Sequence, residues 1–268
     1  MIMKKYILGL IGLSLFSFLQ GQNSTEAFQL NTIENFGTAR SIGMGGAFNG
    51  LGADLSGMHF NPANSAYFKK SQFAFTPYIG TVHSLGPNGG YLNSKSNFAL
   101  SNIGFSIVAD KNVWSFHFQR EADFHQKLTD NYNGSLLNHW ENQALSSGAT
   151  NIEELNQSYI TGAGLAYNAY LLNLDTTLGQ FYAIDNTIAN QSRETVKRGK
   201  SNVYSTSFAH KLSKKVNLGL SLNMHTYSYR EVNRYSESDF DATTDLLGFN
   251  VTDEYEVNGR GVNLKAGT

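Results

Sequence analysis

Cysteine is missing from all 268 residues of the chain. That removes both a disulfide framework and a lipid-bearing cysteine behind a leader, so stability outside the cytoplasm has to come from another source. Proline is scarce at three residues, and only 15% of the residues are charged. With a net charge of −1 the chain lacks the clustered basic surplus that a nucleic-acid partner asks for. Beyond the N-terminus no apolar run approaches the roughly 20 residues of a membrane-crossing helix.

Lys4 and Lys5 precede an apolar run from Tyr6 to Leu19, followed by Gln20, Gly21 and Gln22. Charged, apolar and small-residue regions in that order predict a signal peptide over 1–21, cleaved near Gly21, and an exported protein. Its loss leaves 18 basic and 21 acidic side chains.

Aromatics make up 13% of the residues and there are 26 glycines. From Val216 to Arg230 the side chains alternate, with Val216, Leu218, Leu220, Leu222 and Met224 on one face and Asn217, Gly219, Ser221, Asn223 and His225 on the other. Trp114, Phe116 and Phe118 alternate likewise with Ser115, His117 and Gln119 in Val113–Phe124, which follows Asn97–Ala109 across a short turn and so predicts a hairpin. Ser201–Leu212 and the Val216 strand predict a second hairpin. Pattern alone fits a soluble sandwich or an outer-membrane barrel, whose strands also alternate.

The connections 82–96, 125–158 and 231–253 are long and polar, the second with a helix-like stretch around Leu136–Leu155. Short turns at one end and long loops at the other are the asymmetry of a barrel and are rare in compact soluble domains. Alternating direction then asks for strands at Ser71–Thr81, Tyr159–Leu172, Thr177–Thr195 and Glu254–Thr268. The fold expected is all-β, a transmembrane antiparallel β-barrel with about eight strands present, in a chain expected to be an N-terminal fragment.

Between Gly37 and Asn64 the chain holds seven glycines, GTARSIGMGGAFNGLGADLSGMHFNPAN, a segment too small-residue-rich to build a core. It reads as a plug, over 22–68, ahead of a wall over 69–268.

That segment, ending in Asn61, Pro62 and Ala63 and carrying Ser41, Gly43, Met44, Gly45, Gly46, Ala47 and Phe48, followed by strands and later by GRGVNLKAGT, resembles the FadL/TodX family of outer-membrane transporters for hydrophobic compounds. The resemblance covers essentially the whole mature chain. It implies a 14-stranded barrel with an N-terminal hatch inside the lumen, in the outer membrane of a Gram-negative cell. Its function would be passive uptake of hydrophobic molecules such as long-chain fatty acids or aromatic hydrocarbons. It also implies sideways release at a break in the third strand, although Val113–Phe124 contains neither glycine nor proline. A barrel serving protein secretion or adhesion through its long loops is the alternative.

Candidate site residues are the hatch motif Gly43, Gly45, Gly46, Asn61, Pro62 and Ala63, whose glycines are expected to resist added bulk by packing on the wall. Ile160, Ala166, Tyr170, Leu172, His117 and His225 are candidates for a lumen-facing substrate path, which in general is mostly apolar. Partners are a lipophilic small molecule and outer-membrane lipid. No cofactor is expected: Gly43, Gly45 and Gly46 lack the surroundings of a phosphate loop, and the seven histidines lack ligand spacing. Asp130, Ser135 and His139 are close in sequence without the marks of a triad, and no enzyme is expected.

Overall fold

The computed structural model describes residues 36–85, 91–240 and 246–268; the predicted signal peptide and the first part of the predicted plug lie outside them. Three short helices, α1 (Ala39–Gly43), α2 (Phe48–Leu51) and α3 (Gly57–Phe60), and a 3₁₀ turn, Pro62–Tyr67, lead into a large antiparallel sheet. Its strands are β1 (Gln72–Leu85), β2 (Tyr91–Ala109), β3 (Asn112–Asp123), β4 (Gln126–Gly134), β7 (Ala189–Lys211), β8 (Asn217–Ser238) and β9 (Gly248–Gly267). They run in the order β1-β2-β3-β7-β8-β9, with β4 also paired to β7, and among the described residues the sheet is open, with β1 and β9 as its edges.

Both predicted hairpins form, β2–β3 across Asp110 and Lys111 and β7–β8 across residues 212–216. The strands overrun their predicted ends, so the loops shrink: β8 reaches Ser238 and β9 starts at Gly248.

Two predicted strands are corrected. Residues 136–183 form an insert of α4 (Leu136–Ser147), α5 (Ile152–Tyr159), α6 (Ala163–Asn168) and a small hairpin, β5 (Leu172–Asp175) with β6 (Gln180–Ala183). Tyr159–Leu172 is therefore helical: Ala163, Gly164 and Ala166 let α6 approach α5 so closely that a Cβ on Gly164 would fall 2.2 Å from Asn156 Oδ1. Thr177–Thr195 is not one rising strand but β6 and the start of β7. Direction is satisfied differently. β3 pairs with the second half of β7, and β4, travelling the same way, pairs with its first half.

The insert has its own core of Leu137, Trp140, Leu155, Ala166, Leu172 and Phe181. Its helices start on sequence signals: Ser135 Oγ accepts from Asn138 N–H at 3.1 Å to cap α4, and Asn151 Oδ1 accepts from Glu154 N–H at 2.9 Å to cap α5. The predicted helix-like stretch is thus found as α4 and α5.

Candidate functional site

The two faces of the sheet are chemically opposite. Cross-strand register stacks three apolar rows on one face: Ile107–Trp114–Phe208–Leu220–Ala266, Phe105–Phe116–Thr206–Leu222–Leu264 and Ile103–Phe118–Tyr204–Met224–Val262. Phe73 and Phe75 of β1 extend the second and third rows. This face is bare, with Leu222 55% and Leu264 74% exposed. The other face stacks Ser106–Ser115–Ser207–Ser221–Lys265 and Gly104–His117–Ser205–Asn223–Asn263. Yet Ser115, His117, Ser207 and Asn223 are buried. In a water-soluble domain the apolar face is the covered one; here it is the polar face.

The cover is the N-terminal segment, which is held by polar contacts at both ends. At its start, Ser101 Oγ accepts from Gly37 N–H at 3.0 Å and donates to Gly37 O at 2.8 Å, and Ala39 N–H donates to Thr76 Oγ1 at 3.2 Å. Ser101 reaches it because β2 bulges there, between the pairs Thr76–Asn102 and Pro77–Leu100. Within the segment, buried Asp54 accepts from Thr38 Oγ1 at 2.9 Å and from Ser56 N–H at 2.9 Å, while Arg40 stands 3.6 Å from its carboxylate and stacks 4.0 Å over Phe48.

At its end, Asn61 Oδ1 accepts from Ala63 N–H at 3.0 Å, opening the 3₁₀ turn with Pro62 in its first position, where a missing N–H costs nothing. Asn61 Nδ2 donates to Thr268 O at 3.0 Å. The turn sits on two glycines of the sheet: a Cβ on Gly219 would lie 2.3 Å from Ala63 N, and one on Gly267 2.0 Å from Asn61 Oδ1. Met58 and Leu55 pack with Phe68 and Val113 beneath.

The motif glycines act otherwise than expected from bulk. A Cβ on Gly43 or Gly45 would meet nothing within 4 Å. Gly45 and Gly46 instead have φ of +61° and +82°, a left-handed turn that ends α1. The glycines that let the Asn61–Pro62–Ala63 turn approach the sheet are Gly219 and Gly267, and only their place on the polar faces of alternating strands marked them.

Between these ends lies a charged cluster. Glu121, at a bulge of β3, accepts from Ser201 Oγ at 2.9 Å and stands 3.1 Å from His225 Nδ1 and 3.6 Å from His59 Nε2. Lys265 Nζ donates to His59 O at 2.7 Å. Burial, with the Lys265 cation adding to it against Glu121, lowers His59 to a pKa of about 4, so the His59–Glu121 contact is not an ion pair at neutral pH. Among the described residues no group of three or more side chains is arranged to hold a metal ion.

Of the proposed path residues, His117 is fully buried under the segment and His225 is half-buried beside Glu121. Ile160, Ala166, Tyr170 and Leu172 all fall in the insert and none on the large sheet: Ala166 and Leu172 are in its core, and Ile160 and Tyr170 are 65% and 83% exposed. Ser135 Oγ accepts the capping bond of α4, and His139 Nε2 lies 3.1 Å from Gln143 Nε2.

No protein-family profile, no curated protein and no solved structure matches this chain.

Among the described residues the large sheet has an interruption beside β3, the third strand, where the resemblance implies a break but no glycine or proline marks one. The β2–β3 ladder ends at Asn102–Gln119, and above it β2 pairs only with β1 while β4 pairs only with β7. Around the gap, Asp123 accepts from Tyr78 Oη at 2.8 Å, Asn97 Nδ2 at 2.7 Å and Arg120 at 3.0 Å, and it also contacts His125. No glycine or proline makes this break. The Glu121 bulge and the polar cluster of Asp123 do, and such a cluster has no local sequence signature.

Proposed function

We propose that this chain is part of an outer-membrane β-barrel for passive uptake of hydrophobic small molecules, with residues 22–68 as a hatch inside it, as its resemblance to the FadL/TodX transporters implies. The observation that carries the proposal is the bare apolar face set against a polar face covered by the N-terminal segment. More than a dozen large apolar side chains stand on that face. Even half of about 2 kcal/mol for each exceeds roughly 10 kcal/mol, as much as a whole domain has to spare, so water is the wrong solvent for it and lipid the right one.

Strand length agrees. A membrane-crossing strand needs about 9–11 residues, whereas β8 has 22. Along it the bare face is apolar from Leu218 to Met224 and polar or charged at Thr226, Ser228, Arg230 and Arg234, the succession expected where a strand leaves lipid for water. Among the described residues no helix is long and apolar enough to cross a membrane. The unladdered stretch between β2 and β4 is the position proposed for sideways release, with Asp123 as its polar seam. Transport of this kind is passive and asks for no cofactor or catalytic group.

Uptake of radiolabelled long-chain fatty acid and of toluene is measured in cells with and without the protein in the outer membrane. A gain for at least one of them supports the proposal. Equal uptake across a panel of lipophilic compounds overturns it.

A further inference from the structure

The bare face of β7–β8–β9 does not become uniformly polar beyond the apolar rows. The ladders run without a bulge, so facing sides carry through. The row after Tyr204–Met224–Val262 is Asn202–Thr226–Arg260, and the next is Lys200–Ser228–Asn258. These six residues line a cleft of about 450 Å³. Each row advances about 7 Å along the strand, or about 5 Å in height at a barrel tilt near 40°. Arg260 and Lys200 therefore stand about 5 and 10 Å above the last apolar row, the level of a headgroup layer roughly 5–8 Å thick.

Their charge state sets them apart from two arginines of β8. Arg230 and Arg234, farther along the same face, are taken by Glu254 at 2.6 Å and Glu194 at 2.7 Å. Lys200 and Arg260 are exposed and have no ion-pair partner among the described residues. The nearest acid on β9, Glu256, accepts from Asn258 Nδ2 at 2.7 Å. Two unpaired cations flanking a cleft with hydroxyl and amide groups, and opening beside an apolar wall, match an amphiphile with an anionic head.

We propose that this cleft binds the phosphate of an outer-leaflet glycolipid, with Lys200 and Arg260 on the phosphate oxygens and Thr226, Ser228 and Asn202 toward the sugar. Acyl chains then lie along the apolar rows. Arginine can grip two phosphate oxygens at once and lysine adds a point charge, a pairing that discriminates a phosphate from a neutral sugar. The site rests on the membrane placement proposed above, but its test does not.

Detergent-solubilised full chain is titrated with bisphosphorylated lipid A and with its dephosphorylated form, bound lipid being read by native mass spectrometry. The phosphorylated lipid is expected to be retained roughly tenfold better, and Lys200→Ala with Arg260→Ala to abolish the difference. Arg230→Ala, which removes an already paired cation, is expected to change retention less than about twofold. Circular dichroism checks that each variant keeps its strands. Equal retention of both lipids by the natural chain, or a preference for the phosphorylated lipid in the double variant as large as in the natural chain, overturns the site. Displacement by millimolar inorganic phosphate overturns the lipid assignment in favour of a free-anion site. Fractionation away from the outer membrane would overturn the uptake proposal while leaving the lipid titration to decide the site by itself.

Discussion

A Cβ on Gly219 would lie 2.3 Å from the backbone nitrogen of Ala63, so the strand and the 3₁₀ turn touch backbone to backbone across 155 intervening residues. Neither side has a flexible side chain to move aside. Gly219→Ala is expected to lift the Asn61–Pro62–Ala63 turn at a cost of about 1–3 kcal/mol, the usual penalty for overpacking. Limited proteolysis should then cut the N-terminal segment faster while the sheet stays intact. An unchanged cutting rate would show that the turn is not seated on β8.

The motif glycines separate bulk from backbone conformation. Gly45→Ala forces a side chain into a left-handed turn and is expected to cost about 1–2 kcal/mol, whereas Gly43→Ala, with open space and an ordinary helical backbone, is expected to be neutral or slightly stabilising. Comparing the urea midpoints of the two variants tests this. Equal losses would return the role of these glycines to packing.

Acid should loosen the segment at His59. Its pKa falls from 6.5 unfolded to about 4 folded, so the stability that goes with its neutral form is complete above about pH 6.5 and drains away as pH falls toward 4. At pH 5 the loss is about 2 kcal/mol. Hydrogen exchange of the α3 amides followed from pH 7.5 to 4.5, after correction for intrinsic rates, should show loss of protection in the natural chain and a flatter profile in His59→Gln. A parallel decline in both would place the acid sensitivity elsewhere.

The bare face offers a depth test. Leu222→Arg, in the middle apolar row, is expected to destabilise the protein in a bilayer by about 2–4 kcal/mol, and Ser228→Arg, two rows above the last apolar one, by less than about 1 kcal/mol. Reversible unfolding from lipid vesicles in guanidinium reads both. Equal costs would mean that the face meets one uniform medium.

What the sequence made legible follows from period. Strands with strict alternation, such as Val113–Phe124 and Val216–Arg230, appear where expected because lipid-like and polar faces leave a two-residue signature. The insert defeated the same logic: Ile160, Gly162, Gly164 and Ala166 alternate by accident, and small residues suit a close-packed helix as well as a strand. Asn61–Pro62–Ala63 stood out through the resemblance, and its local role, an asparagine cap before proline, comes from the structure. Gly219, Gly267, the Glu121 cluster and the Asp123 seam were not, since each is assembled from residues distant in sequence, and their chemistry exists only after the strands have found their register.

The unbroken β7–β8 ladder also limits how the protein can change length. Because every side chain on β8 is committed to one of two faces by odd or even position, losing a single residue near Ser221 would turn Leu222 and Met224 toward the N-terminal segment and Asn223 and His225 toward the opposite side. Insertions and deletions within this hairpin are therefore tolerable only in multiples of two, or where a bulge restores the count, so the parity of the strand is inherited more strictly than any one of its side chains.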